Sequence, residues 1–300
     1  MDNVNKTLYI PLYGKALVSQ KGLFLHDPKA EEIWAKEGFP LKGKSASQWL
    51  AYYIGMRAAV FDGWVRRQMA AQPDAVILHL GCGMDSRCLR TGSEDRLWYD
   101  VDFPAVIEQR RRYYEETDTY RMIAADVRES SWLSGIDAKR AIVVMEGISM
   151  YLTAEERTAL LTALCEQFEE VSLLTDCYSR LAARLSRIKN PINDVGVTRV
   201  HGVDHPAELT VSGLLFVQQH DMTPQSMIDQ LPEKEQGIFR KLYAGKTSQK
   251  LYRLYEYRSI CQGFCQQAGH RHGRTSPCLF LFLLSTCDSI DLVKQTCIDR

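Results

Sequence analysis

One run constrains this chain more than any other: Ala75-Val76-Ile77-Leu78-His79-Leu80-Gly81-Cys82-Gly83-Met84-Asp85-Ser86-Arg87. A continuous apolar segment breaks into Gly-x-Gly, and an acid follows two residues later. Short apolar runs bounded by turn residues read as buried parallel strands. The glycines let the chain turn sharply and bring its backbone against a ligand. A second acid-tipped strand, Leu97-Trp98-Tyr99-Asp100-Val101-Asp102, follows at about 20 residues, the spacing at which nucleotide-type α/β folds hold a ribose.

Strands and helices alternate around this pair. Val76–Leu80, Leu97–Asp102, Tyr120–Ala124, Ala141–Met145 and Val171–Thr175 read as strands. Helices are expected over Lys29–Lys36, Ser45–Ala71, from Cys88 onward, over Pro104–Glu116, and from an N-cap at Thr153 to about Glu169. The remainder of residues 1–45 is a mixed preamble. After Asp176 the rhythm loosens into a polar stretch, Arg187 to Pro206. Leu214–Gln218 reads as a sixth strand, Gln225 to about Tyr257 as helical, and the apolar run Cys278–Leu284 as a seventh strand, paired antiparallel with the sixth. The fold class is therefore α/β: a Rossmann-like, seven-stranded, mostly parallel sheet with helices on both faces, a last antiparallel strand, an N-terminal helical segment and a lid-like insertion.

Hydrophobic residues make up 45% of the chain and charged residues 25%, enough for a sizeable core. The 37 basic and 37 acidic residues balance, so no net field attracts nucleic acid or an anionic membrane surface. Cys278–Leu284 falls far short of the roughly 20 residues a membrane helix needs, and the N-terminus lacks a signal-peptide core. Nine cysteines without an export signal read as reduced thiols of a cytoplasmic protein. Cys261-x3-Cys265 with His270-x-His272 lacks the spacing of a structural zinc site, and no metal is expected there.

Acids stand at or just past several strand ends: Asp102, Asp126, Glu146 and Asp176. Any one of them could simply cap a helix; together, beside a glycine turn, they mark the crevice where open α/β sheets bind ligands. Ser86 occupies the position of the third glycine in a dinucleotide motif, and no phosphate-cradling G-x-x-x-x-G-K-[ST] occurs. A cofactor with ribose and adenine but no phosphates, S-adenosylmethionine, fits this set.

Four segments resemble the leucine carboxyl methyltransferase family, and most nearly its polyketide O-methyltransferase branch. They are Leu80-Gly81-Cys82-Gly83-Met84-Asp85-Ser86-Arg87, Trp98 to Pro104, Glu146-Gly147-Ile148-Ser149-Met150-Tyr151-Leu152, and Ile10 to Ala16 with the later Asp27-Pro28-Lys29-Ala30. The resemblance runs from residue 8 to about 176, and on toward His220 through Val203-Asp204-His205-Pro206. Pattern and resemblance together lead us to expect a single methyltransferase domain over 1–300, with a helical cap over 1–71, a cofactor-binding core over 72–180, a substrate-side insertion and helices over 181–260, and a C-terminal strand and tail over 261–300 where no resemblance is found.

The same resemblance implies a site. Arg57 and Lys15 would meet the cofactor carboxylate, and the Gly81, Gly83 and Asp85 turn would pass beneath its methionyl and ribose portion. Asp102, rather than its neighbour Asp100, would accept the ribose hydroxyls, Asp126 and Val127 would read the adenine edge, and Glu146 would face the methionyl amine. Tyr13, Tyr151, Arg199 and His201 are candidate acceptor-side residues, and no catalytic base is assigned.

The expected function is S-adenosylmethionine-dependent O-methylation of a hydroxyl or carboxylate on a small molecule. The alternatives are a protein C-terminal carboxyl methyltransferase, an NAD-dependent oxidoreductase on a similar sheet, and a non-catalytic cofactor-binding regulator.

Overall fold

The computed structural model describes residues 7–186, 200–211 and 213–259. Among the described residues three α-helices precede the sheet: α1 (Tyr9–Gln20), α2 (Pro28–Glu37) and α3 (Gln48–Ala71). Asp27 caps α2 by accepting from Ala30 N at 2.9 Å, with Pro28 at its first position. Helix α1 falls in the stretch read from sequence as preamble. Its buried Tyr9, Leu12, Ala16 and Ser19 recur at helical spacing, but Pro11 and Gly14 obscure the pattern. Gly14 has a packing reason, since a Cβ there would stand 2.9 Å from Ile54 Cγ2 on α3.

The chain then alternates: β1 (Val76–Leu80), α4 (Arg87–Arg90), β2 (Trp98–Asp102), α5 (Pro104–Arg110), β3 (Tyr120–Ala124), β4 (Arg140–Met145), α6 (Ala154–Gln167), β5 (Glu170–Tyr178) and α7 (Arg180–Leu185). Thr153 opens α6 with the expected cap, accepting from Glu156 N at 3.2 Å while Glu156 accepts from Thr153 N at 2.8 Å. Helix α5 ends at Arg110, short of the expected Glu116; beyond it the chain turns, and Tyr114 donates to Met84 O at 3.1 Å. β6 (Leu214–His220), α8 (Gln225–Ile228), α9 (Glu233–Phe239), a π-helical turn at Arg240–Ala244, α10 (Lys246–Leu251) and β7 (Tyr252–Ser259) follow.

The sheet has seven strands in the order β3-β2-β1-β4-β5-β7-β6. β1 to β5 pair in parallel, and β7 runs antiparallel between β5 and β6. One expectation is corrected. The helical reading to Tyr257 overran, because Tyr252-Arg253-Leu254-Tyr255-Glu256-Tyr257 is β-prone and wedges between two strands. Cys278–Leu284, read as a seventh strand, lies outside the described residues, as does the Cys261–His272 cluster.

Alternation along β1 divides the core. Val76, Leu78 and Leu80 face a cluster with Leu160, Leu161 and Leu164 of α6, while Ile77 faces α1, α3 and α5. No helix among the described residues is long and apolar enough to cross a membrane.

Asp100, fully buried on β2, ties the parallel strands together. It accepts from Trp98 Nε1 at 2.9 Å and Tyr120 hydroxyl at 2.6 Å, and it pairs with Arg110 of α5. His79 of β1 lies 3.1 Å away through Nδ1, and its Nε2 faces Arg87 at 3.2 Å. Since Arg87 can only donate, Nε2 accepts and Nδ1–H donates to Asp100. Burial lowers the His79 pKa and keeps the ring neutral.

Replacing Asp100 with Ala strands Arg110 in the core. Denaturant unfolding should show a loss of about 3–5 kcal/mol. A loss below about 1 kcal/mol, the scale of a surface pair, would remove Asp100 from its structural role.

Candidate active site

The order β3-β2-β1-β4 reverses direction between β1 and β4, the point at which open α/β sheets bind ligands beyond their carboxyl ends. A cavity of about 1020 Å³ opens there. Gly81 leaves β1 with φ of +67°, and a Cβ on it would lie 2.1 Å from Ile148 Cγ2, so only glycine makes this turn. Asp102, at the tip of β2, is fixed by two backbone donors: Gly83 N at 2.7 Å to Oδ2 and Phe103 N at 2.8 Å to Oδ1. Each oxygen retains acceptor capacity on the cavity wall. Burial pushes the Asp102 carboxyl up to about 6.

Behind the glycine turn lies a buried charge cluster. Glu146, past the end of β4, receives Arg57 Nε at 3.1 Å and Nη2 at 3.0 Å on one oxygen and Arg87 on the other. Burial alone would raise its pKa, but Arg87, Arg57 and Lys15 hold it at about 2. Arg57 Nη1 also meets Asp176 of β5 at 3.0 Å. Lys15 Nζ pairs with Asp85 at 2.7 Å, and Arg90 joins Asp85 at 2.5 Å, Asp62 at 2.6 Å and Asp27 at 3.0 Å. Arg87 meets Asp62 at 2.7 Å. Asp85 is thereby held well below the ordinary carboxylate range despite its burial.

Phosphate chemistry does not suit this turn. Asp85 Oδ1 already accepts from Arg87 N at 2.9 Å, so a carboxylate caps the start of α4 where a dinucleotide would bring its pyrophosphate. Ser86, in the third-glycine position, is buried with its hydroxyl on Asp27.

Lys15, Arg57, Gly81, Gly83, Asp85, Asp102, Asp126, Val127, Glu146 and Tyr151 all line this one cavity. Asp126, half-buried, is paired with Arg128 at 2.9 Å, and that pairing lowers its pKa. Asp100 is absent from the lining, its oxygens consumed inside the sheet. Tyr13 lies elsewhere: its hydroxyl donates to Ala46 O at 3.2 Å and its ring leans on Trp34. His201 is exposed, joins Met150 O through its backbone N at 2.7 Å, and does not line the cavity. Arg199 lies outside the described residues.

Several residues of this region carried no reading from sequence. Arg87 and Arg90 follow the glycine motif closely, and an acid on the apolar face of α3, Asp62, was the signal that buried cations must answer it. Tyr53, Tyr178, Tyr243 and Tyr252 converge on the cavity from separate elements and had no shared sequence signal. Among the described residues no cluster of His, Cys, Asp and Glu could hold a metal ion.

The family model for leucine carboxyl methyltransferase matches residues 3–165. The chain is similar to the tetracenomycin polyketide synthesis O-methyltransferase TcmP of Streptomyces glaucescens, 33% identical over 227 residues that cover 74% of this chain and 84% of that one. It is also similar to the S-adenosyl-L-methionine-dependent methyltransferase dpfgK of Gibberella zeae, 29% identical over 242 residues covering 72% and 81%. A DUF574 family protein from Streptomyces avermitilis shares the fold, with a TM-score of 0.51 at 11% identity over 78% of this chain and 90% of that one. The chain belongs to the leucine carboxyl methyltransferase family and is an S-adenosylmethionine-dependent methyltransferase.

Proposed function

We propose that this enzyme methylates an oxygen, hydroxyl or carboxylate, of a small molecule. The observation that carries the reading is one cavity whose wall combines charged residues with apolar and aromatic ones. Asp102, Glu146, Arg57 and Lys15 line it beside the glycine turn, and Leu50, Tyr53, Ile54, Tyr178, Tyr243 and Leu251 line it too. A volume of about 1020 Å³ lies just above the usual range of roughly 300–1,000 Å³ for a ligand pocket, in keeping with two ligands side by side. The likeness to an O-methyltransferase of polyketide synthesis supports a small acceptor.

In this reading Asp102 takes the ribose hydroxyls, Asp126 and the Val127 backbone face the adenine, Arg57 and Lys15 meet the carboxylate, and Glu146 meets the amine. The residues present suit such a group: cations and carboxylates alternate at the methionyl end, and Asp102 keeps acceptor capacity free. When bound, S-adenosylmethionine supplies an electrophilic methyl on its sulfonium. The protein's task is alignment, and holding two reactants in register is worth about 7–11 kcal/mol in well-oriented systems. The aromatic lining would exclude water and orient a flat or apolar acceptor. A carboxylate acceptor is already anionic and needs no base; a hydroxyl acceptor must lose its proton.

Two expected outcomes check this. Radiolabelled methyl transfer should appear on members of a panel of hydroxylated and carboxylated small molecules. Transfer confined to a peptide ending in a leucine carboxylate would assign a protein acceptor instead. In calorimetry Asp102→Ala should weaken S-adenosylhomocysteine by about 1.5–3 kcal/mol, the loss of hydrogen bonds to a charged group. Because ribose hydroxyls favour the ionised carboxyl, wild-type affinity should rise with pH up to about 6 and level off above it. The slope should vanish in Asp102→Asn; a slope that survives places the titrating group elsewhere.

A further inference from the structure

Tyr252 opens β7, outside the residues matched by the family model. Its hydroxyl accepts from Arg57 Nη1 at 2.6 Å and donates to Asp176 Oδ2 at 2.5 Å. Asp176 is itself anchored, since its Oδ1 accepts from Gly147 N at 2.8 Å. The Tyr252 ring is held edge-on by Tyr178, its register partner on β5, with centroids 4.7 Å apart, and leans on Tyr53 at 6.1 Å. The hydroxyl thus belongs to the charge cluster and the ring to the aromatic residues lining the cavity.

Arg57 is a long side chain rising from α3, with Nε and Nη2 committed to Glu146. Only Nη1 remains to fix the turn of the guanidinium about that edge, and Tyr252 with Asp176 takes it. Of the five N–H donors of a guanidinium, these contacts leave one, the second hydrogen on Nη2, and its direction toward a ligand is fixed by where the others are held.

We propose that Tyr252, backed by Asp176, is a positioning residue that sets the Arg57 guanidinium for the cofactor's carboxylate, joining the late antiparallel strand to cofactor selection. This rests on the cofactor reading above. It predicts an effect confined to ligands that carry the amino-acid tail.

The test compares S-adenosylhomocysteine with 5′-methylthioadenosine, which keeps the adenosyl group and lacks the amino acid, by calorimetry on the full chain. Wild type should prefer S-adenosylhomocysteine. Tyr252→Phe, which removes one oxygen and keeps the ring, should bind S-adenosylhomocysteine about tenfold more weakly and 5′-methylthioadenosine equally well. Asp176→Asn should show the same selective loss, and it carries the test if Tyr252→Phe fails to fold. Equal weakening of both ligands would assign Tyr252 a general structural role and overturn the proposal. Unchanged S-adenosylhomocysteine affinity in both variants would also overturn it while leaving the cofactor reading intact. A wild type that binds neither ligand would remove both.

Discussion

Glu146 is a carboxylate buried past the end of an apolar strand, and the rest of the site is arranged around keeping it ionised. An isolated buried carboxylate would take up a proton or unfold its surroundings. Here Arg57 from α3 and Arg87 from α4 close on its two oxygens, and each arginine answers further acids, Asp176 and Asp62. The cluster therefore links the N-terminal helices, the glycine turn and the ends of β4 and β5. Such a network is weak evidence for stability as such, since apolar replacements of similar shape often do as well. The cluster does set fixed charges of both signs on the wall of a cavity that aromatic and apolar side chains also line.

That mixture suits a ligand that is itself both cationic and anionic. The carboxylate Asp85 at the start of α4, with Ser86 turned onto Asp27, makes the turn unfavourable for phosphates. Asp102 differs from Glu146: it has backbone donors but no adjacent salt bridge, so its pKa is raised rather than lowered. Two acids at neighbouring strand tips are thus tuned in opposite directions by their surroundings, Glu146 downward by its arginines and Asp102 upward by burial.

The parallel half of the sheet was legible because its signal is local. Val76–Leu80 and Arg140–Met145 are apolar runs ending in a glycine turn or an acid, and backbone pairing on both sides demands that pattern. Asp102, Glu146 and the glycines followed directly. Helix α1 was hidden by Pro11 and by Gly14, whose presence reflects contact with α3 rather than turn formation. β7 was hidden because its Tyr-rich run follows helical segments and its partner strands are distant in sequence. Tyr13 and Tyr151 looked equivalent as sequence, yet one faces Trp34 and Ala46 and the other lines the cavity. Only packing separates them.

The most direct measurement is a crystal structure with S-adenosylhomocysteine bound. Ribose hydroxyls within hydrogen-bond distance of Asp102, and an amino-acid tail set against the Arg57–Glu146 pair with the sulfur turned toward Tyr53 and Tyr243, would meet the account. An adenosyl group seated away from the tips of β1, β2 and β4, with the Arg57–Glu146 cluster untouched, would contradict it.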